Sequence, residues 1–164
     1  MKLTGYHYSV TGASGYPFYE DQIERCVINR FALPTFPVAI HGFGHEWISE
    51  FDPKDTVVPG MVRRVADNKS GETVCQIIFA GVDRYEILLN DERVAVHING
   101  GSYAFFSGEA IVARIESARE IPADVPEKLR DYDCELVCRA TLSEPMKPEL
   151  VLAILSFPLL RFAA

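Results

Sequence analysis

The sequence has no run of basic residues, no long apolar stretch, no internal repeat and no low-complexity segment. Its 16 Lys and Arg stand against 23 Asp and Glu, for a net charge of −7, and no window concentrates the cations. The electrostatic footprint of a nucleic-acid binder is therefore missing, and no nucleic-acid partner is expected. The acids are scattered rather than gathered into a tail, and they serve solubility. The longest apolar run, 150–155, is far too short to span a bilayer, so no membrane partner is expected. The opening MKLTGYHYSV lacks the apolar core of a secretory signal. Four cysteines, Cys26, Cys75, Cys134 and Cys138, include no C-x-x-C pair. Reduced thiols and a cytoplasmic location are the expectation. No phosphate-cradling G-x-x-x-x-G-K-[ST] loop, G-x-G-x-x-G fingerprint or G-x-S-x-G elbow occurs, and no cofactor is expected.

What remains is a chain of 164 residues, 48% hydrophobic and 24% charged, ordinary values for one globular domain. A chain this long buries roughly two-thirds of its unfolded surface and needs no metal or disulfide staple. Residues 1–31 read as an extension with a short strand near Tyr6–Val10 and a helix over 18–31. There Tyr19, Ile23, Cys26, Val27 and Phe31 recur at near-helical spacing. Residues 33–121 read as the barrel. LPTFPVAI (33–40) is an edge run because of its prolines, and HGFGHEW (41–47) reads as loop. Strands are expected over 56–66, 72–80, 85–89, 94–98, 103–106 and 109–115, punctuated by turn clusters such as Asp67-Asn68-Lys69-Ser70-Gly71. Residues 124–164 read as a helical part. Asp124-Val125-Pro126-Glu127 carries an N-terminal capping pattern for a helix over 126–142, and Pro148 opens a second helix over 148–155. The expected fold is α+β, a mostly antiparallel β-barrel with an N-terminal helix and C-terminal helices.

Few residues suggest chemistry. His41, His45 and Glu46 lie close enough in sequence to hold a divalent metal, with Asp52 or Asp55 nearby. Gly42 and Gly44 argue against a helix that would put both imidazoles on one face. His97 reads as a surface or cross-strand residue of an alternating strand. Gly81 suits a bulge, and Arg84 behind it suits a structural role, binding loop carbonyls or Glu109. Trp47, Phe51, Tyr103, Phe105 and Phe106 fall in or beside expected loops and are candidates for a recognition patch.

The order of features from Leu33 to Ser156 resembles the N-terminal substrate-binding domain of Lon proteases and its stand-alone relatives. Leu33-Pro34-Thr35-Phe36-Pro37-Val38 is similar to that family's opening strand. Gly60-Met61-Val62-Arg63-Arg64-Val65 is similar to a later one. Gly81-Val82-Asp83-Arg84-Tyr85-Glu86-Ile87 matches its glycine-x-x-arginine-aromatic-x-aliphatic signature. The family's helix after the first strand is replaced here by HGFGHEWISEFDPKD, and residues 1–31 have no counterpart. The resemblance implies a PUA-like β-barrel followed by helices, a domain type without catalytic residues.

Three functions follow as expectations. The first is a non-catalytic module that recognises a peptide or partner protein. The second is a small metal-dependent enzyme built on His41, His45 and Glu46. The third is a structural or assembly subunit, of a viral complex for instance. The apolar C-terminus LSFPLLRFAA would there make a homo-oligomer contact.

Overall fold

The wall of the protein is built by alternation. In VCQIIF, Cys75 and Ile77 point to one side while Gln76 points to the other, the two-residue period of a strand with one dry face. The structure, a computed structural model, describes residues 1–10, 13–31, 38–51, 62–90, 92–118 and 120–158. Among these, twelve strands follow one another: β1 (Lys2–Val10), β2 (Ala13–Glu20), β3 (Ile23–Phe31), β4 (Val38–Gly42), β5 (His45–Phe51) and β6 (Val62–Asp67) come first. Then come β7 (Thr73–Gly81), β8 (Arg84–Leu89), β9 (Glu92–Asn99), β10 (Ser102–Ser107), β11 (Ala110–Ala118) and β12 (Cys134–Leu142). Each pairs antiparallel with its neighbours in sequence, and β1 pairs with β12 to close the barrel. The antiparallel barrel expected from the sequence is present.

A barrel of this many strands is too wide for wall side chains alone to fill. The chain fills it with its one described α-helix, α1 (Pro148–Ser156). Every residue from Leu150 to Phe157 is buried, and all but Ser156 join one cluster with inward side chains such as Leu3, Phe18, Ile40, Ile77, Val96 and Phe105. A helix that is apolar all round needs such a site. Burying Leu150, Val151, Leu152, Ile154, Leu155 and Phe157 is worth about 1.5–3 kcal/mol each before entropy is charged. Phe157 lies edge-on to Tyr85, Tyr103 and Phe105, with ring centroids 5.7, 6.3 and 5.4 Å away. At the other end, His45 Nε2 lies 3.6 Å from Glu149 Oε1 and Lys147 Nζ lies 3.6 Å from Glu92 Oε2. The helix thus enters through the mouth where β12 ends and runs toward the opposite one. The expected helix over 148–155 is this element.

Two expected helices are corrected. Residues 18–31 form parts of β2 and β3, a hairpin that reverses at Asp21 (φ 55°). The helix over 126–142 is a 3₁₀ turn, Glu127–Leu129, followed by β12. The physical reason is shared. Segment 120–133 lies as a strap across the outside of β1, β2 and β12, burying Leu129 against Tyr6, Tyr19 and Val137. Strands buried on both faces lose their alternation. A bulge at Phe18/Tyr19 slips the phase further, until the apolar spacing mimics a helix. The stretch 41–47 is also not loop throughout. β4 and β5 meet through Phe43 and Gly44 alone, both at positive φ (49° and 81°), the backbone that a two-residue hairpin turn requires.

Outside the strap, the wall's outer face carries Arg64, Gln76, Arg93, His97, Arg114, Glu116 and Arg139, all exposed. This is the reverse of the apolar band that a lipid-facing barrel presents. No helix among the described residues is long and apolar enough to cross a membrane.

Candidate binding site

Register brings together residues that the sequence keeps apart. Arg84 at the start of β8 lies opposite His97 of β9, His97 opposite Ala104 of β10, and Ala104 opposite Arg114 of β11. All four belong to the outer face, so they form one row across four strands. One step along the strands, Asn99 lies opposite Ser102, with Glu116 on the same side of β11. The methyl group of Ala104 leaves the floor low between His97 and Arg114. The result is a depression of 660 Å³, lined by these residues with Asp83, Phe106 and Tyr103.

The arginines distinguish it. Arg25 pairs with Glu20 at 3.5 Å and Arg93 with Glu86 at 3.6 Å. Arg64 donates to Thr73 Oγ1 at 2.7 Å, and Arg130 Nε donates to the Val125 carbonyl at 3.4 Å. Arg84, Arg114 and Arg139 have neither an ion pair nor a hydrogen bond among the described residues, and the same is true of Glu116; of the three arginines, Arg84 and Arg114 line the depression. A guanidinium offers five donors in a planar fork. Here two such forks, one on each side of an alanine floor, have no partner among the described residues. His97 stands beside them with its ring 5.1 Å from that of Phe106.

The sequence-derived candidates are placed elsewhere or differently. Trp47 and Phe105 are core side chains inside the barrel, and Tyr103 packs inward on Phe157. Phe106 faces outward beside His97, and the side chain of Phe51, with Asp52 and Asp55, lies outside the described residues. The aromatics therefore do not form one exposed patch. Gly81 ends β7 at a bulge, as the sequence suggests. Arg84 is exposed, and Glu109 lies in the turn between β10 and β11, at the opposite end of the barrel.

His41, His45 and Glu46 do line a second, smaller hollow of 390 Å³ with Asp67 and Lys69. Strand alternation divides them. His41 and Glu46 are opposite each other on the outer face. His45 shares the inward side of β5 with Trp47, 5.5 Å ring to ring, and turns to Glu149. Among the described residues no three His, Cys, Asp or Glu side chains are grouped to hold a metal ion. Asp67 Oδ1 accepts the Ser70 and Lys69 amides at 2.8 and 2.9 Å, which holds its carboxyl below the usual carboxylate range.

Nor do the thiols offer a nucleophile. All four cysteines are free. Burial pushes Cys75 up to about 12 and Cys138 up to about 11, and it raises Cys26 further still. The thiolate that would react is suppressed at neutral pH. Sequence reasoning missed Ala104, Arg114 and Glu116 as site residues. No local motif marks them, because only the pairing of β8 through β11 makes them neighbours. No family model, curated protein or solved structure matches the chain.

Proposed function

We propose that the protein is a non-catalytic binding module that recognises a segment of a peptide or partner protein on the outer face of β8–β11. The observation that carries this reading is the pair of arginines, Arg84 and Arg114, that have no partner among the described residues and flank the Ala104 floor of a 660 Å³ depression. Two features of the fold support it. A closed wall offers no free edge to an added strand. The lumen is filled by α1, so recognition falls to outward side chains. The resemblance to the Lon N-terminal domain points to the same class, and free buried thiols suit a reducing, cytoplasmic setting.

The other readings draw less support. The metal-dependent enzyme would need His41, His45 and Glu46 on one side of a strand pair. Of the segment LSFPLLRFAA on which the oligomer contact would rest, 155–158 is buried and 159–164 lies outside the described residues.

A random peptide library panned on the immobilised protein tests the proposal. Enriched peptides should bind the wild-type protein and lose binding to Ala104→Trp, which fills the depression without touching a charge. Peptides indifferent to that change, or no enrichment at all, would overturn it.

A further inference from the structure

The charges around the depression are ordered rather than mixed. Arg84, His97 and Arg114 share one row, and the acid Glu116 belongs to the next row with the neutral donors and acceptors of Asn99 and Ser102, while Arg139 of β12 lies opposite Glu116 on the side away from the depression. Asp83, in the turn before β8, adds a second carboxylate at the rim. Asp83, Arg84, Arg114 and Glu116 make no ion pair with one another or with any other described residue. Among the described residues both signs lining the depression are thus unpaired.

Spacing limits what that can be. Arg84 and Arg114 stand three strand intervals apart, roughly 14 Å between backbones, close enough for two long side chains to close over Ala104 from either side. Successive outward rows are two residues apart, roughly 6.5 Å along the strands. An extended peptide lying along the wall repeats its same-side residues at that interval too. A ligand acidic throughout would set a carboxylate against Glu116 and Asp83, and like charges in such a place repel.

We infer that the depression takes an extended peptide segment with an acidic side chain and, two residues away, a basic one. The acid sits over Ala104 between Arg84, His97 and Arg114; the base sits against Glu116. The forked guanidinium groups accept the carboxylate, each through paired N–H donors. The inference rests on reading this face as peptide-binding, and it adds the chemistry of the peptide.

The test is a titration of the isotope-labelled full chain, followed by the Nε–Hε resonances of Arg84 and Arg114 and the amide of Ala104. Three probes are used: the blocked peptide Gly-Ser-Glu-Ser-Lys-Ser-Gly, the same peptide with serine at both charged positions, and inorganic phosphate. The charged peptide should shift all three resonances and saturate. Arg84→Gln and Arg114→Gln should each weaken it about tenfold, the equivalent of about 1.4 kcal/mol. Arg25→Gln, on the far side of the barrel, should leave affinity unchanged, and all three variants should melt with the wild-type protein. A serine peptide that binds as tightly, or arginine variants that bind normally, would overturn the charge assignment. So would phosphate giving the same shifts at equal apparent affinity, which would mark an inorganic anion site only. If the serine peptide binds as tightly and Ala104→Trp abolishes that binding, the peptide-binding face survives and only its charge code fails.

Discussion

The barrel has two outer sides, and they obey opposite rules. On β1, β2 and β12 the outward positions include Tyr6, Tyr8, Tyr19 and Val137, and the chain returns as a strap to cover them. Tyr6 and Tyr19 meet edge to face at 5.9 Å, and Tyr8 lies 5.0 Å from Tyr132 of the strap. Gly15 is part of this fit: a Cβ there would run into the Tyr8 ring. Gln22 Nε2 ties the strap down through the Asp124 carbonyl at 3.3 Å. On β8–β11 the outward row is Arg84, His97, Ala104 and Arg114, and nothing described crosses it. Both sides share the same inner apolar cluster. What separates them is the residue type at every second position. Apolar outward residues recruit cover from the same chain, whereas charged ones are left free to meet another.

The sharpest way to break both sides at once is through what they share. Leu152, fully buried in α1, belongs to the inner cluster that both sides share. Leu152→Asp should cost about 4 kcal/mol or more, since a carboxylate in the lumen has no partner. Chemical denaturation checks this, and a variant near wild-type stability would remove the plug from the account.

A smaller, one-sided effect should follow from Leu129→Ala, which loosens only the strap. About 2 kcal/mol is expected, the low end for a buried leucine, because the site borders solvent. Cys134, half-buried under the strap, should then react faster with a thiol reagent, while Cys26, Cys75 and Cys138 stay protected. Equal acceleration at all four would mean global opening rather than a released strap.

The smallest contrast is in pH. Burial raises the phenols of Tyr6, Tyr8 and Tyr19 above their ordinary 10.0, reinforced for Tyr6 by Asp124 and for Tyr8 and Tyr19 by Glu24, against a lowering by Arg139 at Tyr6. A raised folded value favours the native state below 10.0, and that contribution is lost as pH rises toward the folded value. The sealed side should therefore weaken only in alkali, followed by tyrosinate absorbance against unfolding. Ionisation of these phenols at the ordinary value without unfolding would contradict their burial.

The same contrast explains what the sequence could disclose. Strands β7 to β11 were legible because one face is dry and the other wet, so VCQIIF and RVAVHIN alternate. Helix α1 was legible from Pro148 and its unbroken apolar run, although its place inside the barrel was not. β2 and β12 were hidden because the strap dries their second face, and β3 because the Phe18/Tyr19 bulge shifts the phase of the hairpin it shares with β2. The depression was hidden for another reason. Arg84, His97, Ala104 and Arg114 sit on four strands, and a one-residue change of register would scatter them across two faces. Trp47 and Phe105 misled because aromatic residues beside turns read alike whether they cap a core or face a partner.

The most direct test of the contrast is an amide-shift map of the labelled protein on titration with the blocked Glu-Ser-Lys peptide. The account predicts changes confined to the outer row of β8–β11 and the turns holding Asp83 and Gly100–Gly101, with β1, β2, β12 and the strap silent. Changes centred on the strap and its tyrosines, with Arg84, Ala104 and Arg114 unmoved, would contradict it.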